Sequence, residues 1–503
     1  MRTTLDIAQG FYVSDALPIS AQRCVNFYPS LPQTSTITDA NLFSTAGISK
    51  LISGDFNSVC RGAHVFAGVA YLVISNDLIR LNRVVVSSVA SFTTSVIGTI
   101  PGSQRVFMSD NGLQMCIVAA PDTETTGKSF IYTLSSAAFA EITDSDFDGP
   151  ASSVVFSDGY FIFHKSDGKK FFSSNLNNGL AYDALDFNVA EADPDQIRGL
   201  GVLNSQLYVF GSETIQIFRN VGRVPSPFVP VVGSTIDIGV VAPQTIVKFG
   251  GGLAFVGAGV NESPAVWLIA GGSQKRKIST IAIENELSKL QIDTIADQVF
   301  SWTYAESGAY WLGISVPGTC FVYDLINQRW HERQSIDKSS LTRYRCSHLI
   351  SAYGLIIAGD TQTGNIGALD EDVFTEYGVL TPRKVISRPF DNLGNAVNVA
   401  SLEVVVESGV GLANDITIES GTTETGKIIE VEGGADPKIV LSFSDDGGRI
   451  FEGFIPRSMG KIGEYNVRPT WSRLGVFNRQ RVLQFTVSSP NKATIIKVEA
   501  DIG

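Results

Sequence analysis

Histidine and methionine are scarce in this chain, at four each, and its five cysteines share no CxxC or Cys/His spacing. That excludes a zinc framework and a disulfide-stapled scaffold. Cys116 lies inside the apolar run LQMCIV and Cys320 precedes FVYD. These two, with Cys24, Cys60 and Cys346, read as buried free thiols acting as small hydrophobes, which points to folding in a reducing compartment. Long hydrophobic runs are also missing. Nothing approaches the ~18 apolar residues of a membrane span, and the opening MRTTLDIAQGFYVSDALPIS lacks the apolar core of a signal peptide. Charge is sparse at 17% of residues, and 38 Lys and Arg face 50 acids for a net −12. Such a chain is no general wrapper of nucleic acid, whose affinity comes from clustered cations, although a local basic patch stays open.

What is abundant is glycine, 48 residues, and a set of evenly spaced turns. Small residues at Gly68, Gly112, Gly159, Ser205, Gly252, Gly308 and Gly354 are separated by 44, 47, 46, 47, 56 and 46 positions. Each follows an apolar strand (RGAHVF, RVFMS, SSVVFS, RGLGVL, TIVKF, VFSWTY, CSHLIS). Each precedes an aromatic-rich strand (VAYLVI, LQMCIV, YFIFH, QLYVF, LAFVGA, AYWLGI, LIIAGD) and then a third one. A period of about 40–50 residues with several strands per repeat marks a β-propeller, because one blade cannot cover both faces of its own sheet. Seven blades are expected over residues 59–384; six is the alternative if a terminal repeat belongs to a flanking domain. The longest gap holds STIAIENELSKLQIDTIAD, where Ile283, Leu287 and Leu290 fall at helical spacing, so a helical insert is expected between the fifth and sixth blades.

The flanks differ from the repeats. Residues 1–58 carry Pro18, Pro29, Pro32 and no blade pattern, and read as an extended arm ending in one strand, LFSTAGISKLI, that closes the ring. Deleting this arm is expected to harm ring closure more than the C-terminal domain. Residues 385–503 alternate as long strands and read as a β-sandwich, so the whole chain is all-β.

Chemical motifs are weak. DTETTGKS at 122–129 lacks the first glycine of a phosphate-binding loop, and GTTETGKI at 421–428 places Ile428 where a magnesium-holding hydroxyl is needed. Strand-like sequence follows both, so hairpin turns are expected. Ser444–Phe451 fits an Asp-box, a structural turn known from sialidase propellers. His64, His164, His331 and His348 have neither metal-ligand spacing nor a nucleophile elbow, and read as structural. The run 457–482 sets Arg457, Lys461, Arg468, Arg473, Arg479 and Arg481 among Tyr465, Trp471 and Phe477. It reads either as a face for nucleic acid or an acidic partner, or as solvated positions alternating with core ones. No residue is singled out as catalytic, cofactor-binding or metal-ligating.

Two segments carry a family resemblance. SAQRCVNFYPSLP followed by LFSTAGISKL has a Gln-Arg-x-x-Asn-x-Tyr-Pro pattern, and LSFSDDGGRIFEGF leads to GEYNVRPTWSRLG. In this order they resemble the packaged-DNA stabilisation (head-completion) family of P22-like podoviruses, covering about a quarter of the chain. Thr45-Ala46-Gly47 departs from a proline-glycine pair there. The resemblance implies a structural tail hub or nozzle without catalysis or cofactor. It implies a sixfold homo-oligomeric ring in the virion tail, assembled in the host cytoplasm. Its partners would be the portal or adaptor and tail fibre, spike or needle proteins, with DNA passing through the channel without sequence-specific binding. An acidic channel would repel phosphate and ease ejection. The alternative is a glycan-active or receptor-binding propeller at a tail tip.

Overall fold

The computed structural model describes residues 2–502 apart from 56–57, 122–126, 191–194, 307, 339, 393 and 423–427. The seven repeats form a closed ring. Their first strands, Cys60–Phe66, Val106–Asp110, Ala151–Ser157, Ile197–Leu203, Gly239–Phe249, Phe300–Glu306 and Cys346–Ala352, each lie against the next, and the last lies against the first. A hydrophobic cluster fills each seam. Met115 and Phe66 lie between repeats one and two, Phe161 and Cys116 between two and three, and Leu72 and Ile357 between seven and one. The expected period follows from this packing, since each sheet is covered on both faces by its neighbours.

Five repeats, not the expected seven, stand as separate four-stranded blades. The other two are fused into larger sheets. The sixth (Phe300–Glu306, Ala309–Val316, Thr319–Asp324, Arg329–Asp337) continues through Ala21–Val25 and Arg383–Ile386 into the C-terminal region. The seventh takes its fourth strand, Gly47–Ile52, from the N-terminal region, with Leu369 opposite Ile48, and then extends to the hairpin Ile416–Thr422 and Ile428–Gly433.

Four of the turns are built alike. Ala67-Gly68, Asp158-Gly159, Asn204-Ser205 and Tyr353-Gly354 each place two successive residues at positive φ, the backbone of a tight two-residue hairpin. Five of the first strands also share a register shift near their start, at Cys60/Gly62, Ala151/Ser153, Ile197/Gly199, Val240/Ala242 and Cys346/His348. This recurring β-bulge bends each strand toward the axis. Alternation patterns do not reveal it.

The helical insert is present as two short helices, Ile281–Ser288 and Ile292–Gln298, whose Ile283, Leu287 and Ile295 are fully buried against Val266 and Leu312 of the flanking repeats. The N-terminal region, expected to hold one strand, holds six. Arg2–Leu5 pairs with Thr494–Ile502, Ala21–Val25 pairs with Arg383–Ile386, and the hairpin Phe27–Ser30 and Asn41–Ser44 joins the same C-terminal sheet. The C-terminal region packs two sheets face to face around Leu402, Val404, Leu441, Trp471, Phe485 and Val498, and Cys24, Phe27 and Leu42 of the N-terminal region fill the same core. Removing residues 1–58 therefore strips the sandwich as well as the ring.

Candidate assembly surfaces

The motif Gln22–Pro29 sits where the propeller meets the sandwich. Arg23 Nε donates to Glu332 Oε2 at 2.9 Å, and Glu332 is 1% exposed. Asn26, held at a φ of 56°, donates from Nδ2 to the carbonyls of Gln334 (2.9 Å) and Pro382 (2.8 Å), and its Oδ1 accepts from Gln334 N at 3.0 Å. Tyr28 stacks edge-on against Trp311 at 5.0 Å. The polar members of this motif thus bolt strands from three distant parts of the chain together. A buried polar group must be matched by its partners, so each bond also fixes position.

The second motif is equally structural. Asp446 accepts from Ser444 Oγ at 2.5 Å, Arg449 N at 2.9 Å and Ile450 N at 3.1 Å, while Gly447 and Gly448 take φ of 82° and 92°. The Asp-box is a turn, as expected. Asp445 grips Arg481 through two bonds of 2.6 and 2.7 Å, and the Arg481 guanidinium lies 4.4 Å from the Phe443 ring centre. Trp471 is buried and donates from Nε1 to Ile455 O at 2.8 Å.

The basic and aromatic run is therefore divided. Arg481, Trp471 and Phe477 are core, Arg468 pairs with Glu403 at 3.1 Å, and Arg457, Lys461, Tyr465, Arg473 and Arg479 face solvent. Alternation along the chain explains it better than a single binding face. The tips of both near-miss phosphate loops, 122–126 and 423–427, lie outside the described residues, but the segments beside them are hairpin strands, with Thr422 opposite Ile428.

All four histidines lie on blade strands. His164 is buried against Ser153 Oγ at 2.7 Å, and burial pushes its imidazole down to about 4. Burial also holds His331 and His348 well below the ordinary value, helped at each by a neighbouring arginine. His64 bonds Asp110 at 2.7 Å across the first seam. All five cysteines are buried and free, and burial raises each thiol. Among the described residues no cluster of three or more His, Cys, Asp or Glu side chains can hold a metal.

A side chain the sequence did not mark joins blades that are not neighbours. Arg105 leads into the first strand of repeat two, yet its Nη2 reaches Ser347 O at 2.9 Å and His348 Nε2 at 2.7 Å in repeat seven. Its guanidinium lies 4.1 Å from the Phe300 ring centre in repeat six. Burial, aided by nearby Arg343, pulls Arg105 down to about 10. It thereby ties repeat two to two blades that do not flank it.

The outer edges of the five separate blades are unequal. Lys275–Lys277 is three cations, Phe228–Pro230 is three residues ending in proline, and Ala138–Glu141 is short and carries the Lys128–Glu141 pair. Asn178–Asn188 bears Asp183 and Asp186, and its pairing is twice shifted in register. Val89–Thr99 is long and uncharged, exposed except at Phe92, Ile97 and Gly98, and shifted in register at Val96/Gly98.

Comparison with known proteins agrees with this architecture. The chain is 23% identical to the tail hub protein gp10 of Salmonella phage P22 over 409 residues, covering 78% of this chain and 83% of that protein. Solved structures resemble it loosely. The extracellular domain of a putative hybrid two-component system from B. thetaiotaomicron has a TM-score of 0.43 at 11% identity, covering 88% of this chain and 60% of that one. The computationally designed Ika8 protein has a TM-score of 0.35 at 9% identity, covering 64% and 99%. The family profile described as Bacteriophage P22 Gp10, beta-propeller matches residues 3–374, and that described as Bacteriophage P22 Gp10, beta-sandwich matches 383–503. With both profiles matched in order along the chain, this protein belongs to the bacteriophage P22 Gp10 family.

Proposed function

We propose that this chain is a structural tail hub of a bacteriophage, located in the virion tail. The observation that carries the reading is the consecutive match of propeller and sandwich to one family, together with likeness over most of both chains to a tail hub protein. In this reading residues 1–58 are the clasp, 59–384 the propeller and 385–503 the sandwich. Six copies form a ring beneath the portal or adaptor that extends the DNA channel, retains packaged DNA and seats fibres, spikes or a needle. Arg105, which ties repeat two to repeats six and seven, supports one feature of this arrangement: DNA passes between copies, not through a propeller. The net −12 fits a wall that repels phosphate.

The work is mechanical and uses no catalytic group. A glycan-active propeller would place its acid–base pair at the mouth of the axis, where Arg105, His348 and Phe300 meet instead. Among the described residues no helix is long and apolar enough to cross a membrane. Symmetry-resolved electron microscopy of the phage particle tests the reading. Six copies around a channel below the portal are expected; a peripheral trimer, or absence from the tail axis, overturns it.

A further inference from the structure

We propose that neighbouring copies of this chain join edge to edge, the strand Val89–Thr99 of one copy adding to the strand Ile428–Gly433 of the next. The inference rests on the reading of the chain as a ring protein and names the surfaces that would build it. An exposed strand edge is a template for pairing, and proteins normally blunt it with charge, proline, shortness or a bulge. Four of the five separate blades do so. The hairpin Asp77–Val86 and Val89–Thr99 has only a register shift at Val96/Gly98, at the far end from its tip. It turns through Ser87 and Ser88 at φ of 50° and 68°, and carries no charged residue from Val84 to Gln104. It also exposes Val85, Val86 and Val89 by 57%, 64% and 68%.

The matching surface is the free end of another sheet. Ile428–Gly433 is the terminal strand of the sheet that grows out of repeat seven, with Ile428 and Val431 exposed by 48% and 38%. The two edges are complementary in charge. Arg80 and Arg83 flank the valine tip, and Glu430 and Glu432 lie on the other strand, all four exposed. In a chain of net −12, copies repel except where uncharged or opposite surfaces meet.

The two edges are also different surfaces. One is on repeat one; the other leans toward repeat six, where Thr422 N donates to Lys338 O at 2.7 Å, and repeat seven lies between them. Joining two different surfaces is a heterologous contact, the kind that closes into rings. Main-chain hydrogen bonds would supply the adhesion and the aliphatic tips the register.

The test uses the full-length chain and its mass in solution. Val85→Lys/Val89→Lys disables the first edge and Ile429→Lys/Val431→Lys the second; all four positions are exposed, so unchanged melting curves serve as the folding control. Wild type is expected as a multimer and each variant alone as a monomer. Mixed, the two variants should form a dimer and nothing larger, since each keeps one working edge. A valine variant that still forms rings, or a valine variant and an isoleucine variant that fail to pair when mixed, overturns the assignment. Wild type that stays monomeric at its highest concentration overturns it as well, while the tail-hub reading stands until the chain proves absent from the particle axis.

Discussion

Two seams of the same ring are built on different physics. Between repeats two and three the filling is apolar: Cys116, Val118, Ile131, Phe161, Phe163 and Phe172, with Phe147 packed edge-on at 4.9–5.5 Å against its aromatic neighbours. Between repeats six and seven the same positions hold Trp302, Tyr304, Trp311 and Tyr344 around Arg333, which lies 5.6 and 5.1 Å from the two tyrosine rings. Gly313 leaves the space for Trp302; a Cβ there would stand 2.3 Å from the indole. Close by, Arg345 and Asp360 form a buried pair, side chains 5% and 0% exposed. The first seam holds by area removed from water, which is non-directional. The second adds to its apolar filling an arginine between two tyrosine rings and a buried ion pair, which are directional. The polar seam lies where the N-terminal region and the sandwich are fastened on, and there a unique position matters more than adhesion.

Breaking this contrast produces effects of graded size. The largest is deletion of residues 2–52, which removes strands from both the ring and the sandwich. Neither part should then give a cooperative melt or a protease-resistant core, and a surviving sandwich fragment would show that the two regions are energetically separate. Next is Asp360→Ala, which leaves Arg345 buried and uncompensated and should cost about 3–5 kcal/mol in denaturant unfolding. Replacing both partners by apolar residues should recover most of that loss.

Glu376, buried in the same region, probes the seam by pH. Burial pushes its carboxyl up to about 7 despite Arg345 and a Ser335 hydrogen bond. The folded state therefore holds the proton more tightly than the unfolded one. The stability this contributes is full below about pH 4.5 and is lost as pH rises through about 7. Glu376→Gln should remove that loss, so its melting temperature should gain on wild type between pH 5 and pH 8; parallel curves would refute the raised carboxyl. His164, pushed down to about 4, acts in the opposite window, with stability lost as pH falls from 6.5 through 4. That loss is common to both proteins and cancels in the comparison. The smallest effect belongs to the apolar seam, where Ile131→Val should cost about 0.5–1.5 kcal/mol with the fold unchanged.

Much of the architecture was legible because it is periodic. Turn residues at a constant interval, apolar strands beside them and the helical spacing of Ile283 and Leu287 depend on nearest neighbours, and neighbours in sequence are written in sequence. The polar seam was not legible. Arg105, Arg333 and Arg345 look like ordinary surface arginines until the ring brings repeats two, six and seven together. The basic run failed differently: its positions alternate between core and solvent, and composition cannot tell which cations have partners until Asp445 and Glu403 are placed beside Arg481 and Arg468.

By itself, then, the sequence determined an all-β chain of seven repeats with a sandwich behind them, because pattern and turn chemistry act over a few residues. Only the tertiary structure decided that five blades stand free while two are fused, that the six N-terminal strands are shared between propeller and sandwich, and that Arg105 ties repeat two to repeats six and seven. Those features depend on contacts between residues hundreds of positions apart, such as Arg23 with Glu332 and Asn26 with Pro382. Long-range contacts of this kind are chosen by the closure of the whole ring and leave no periodic trace in the strands that make them.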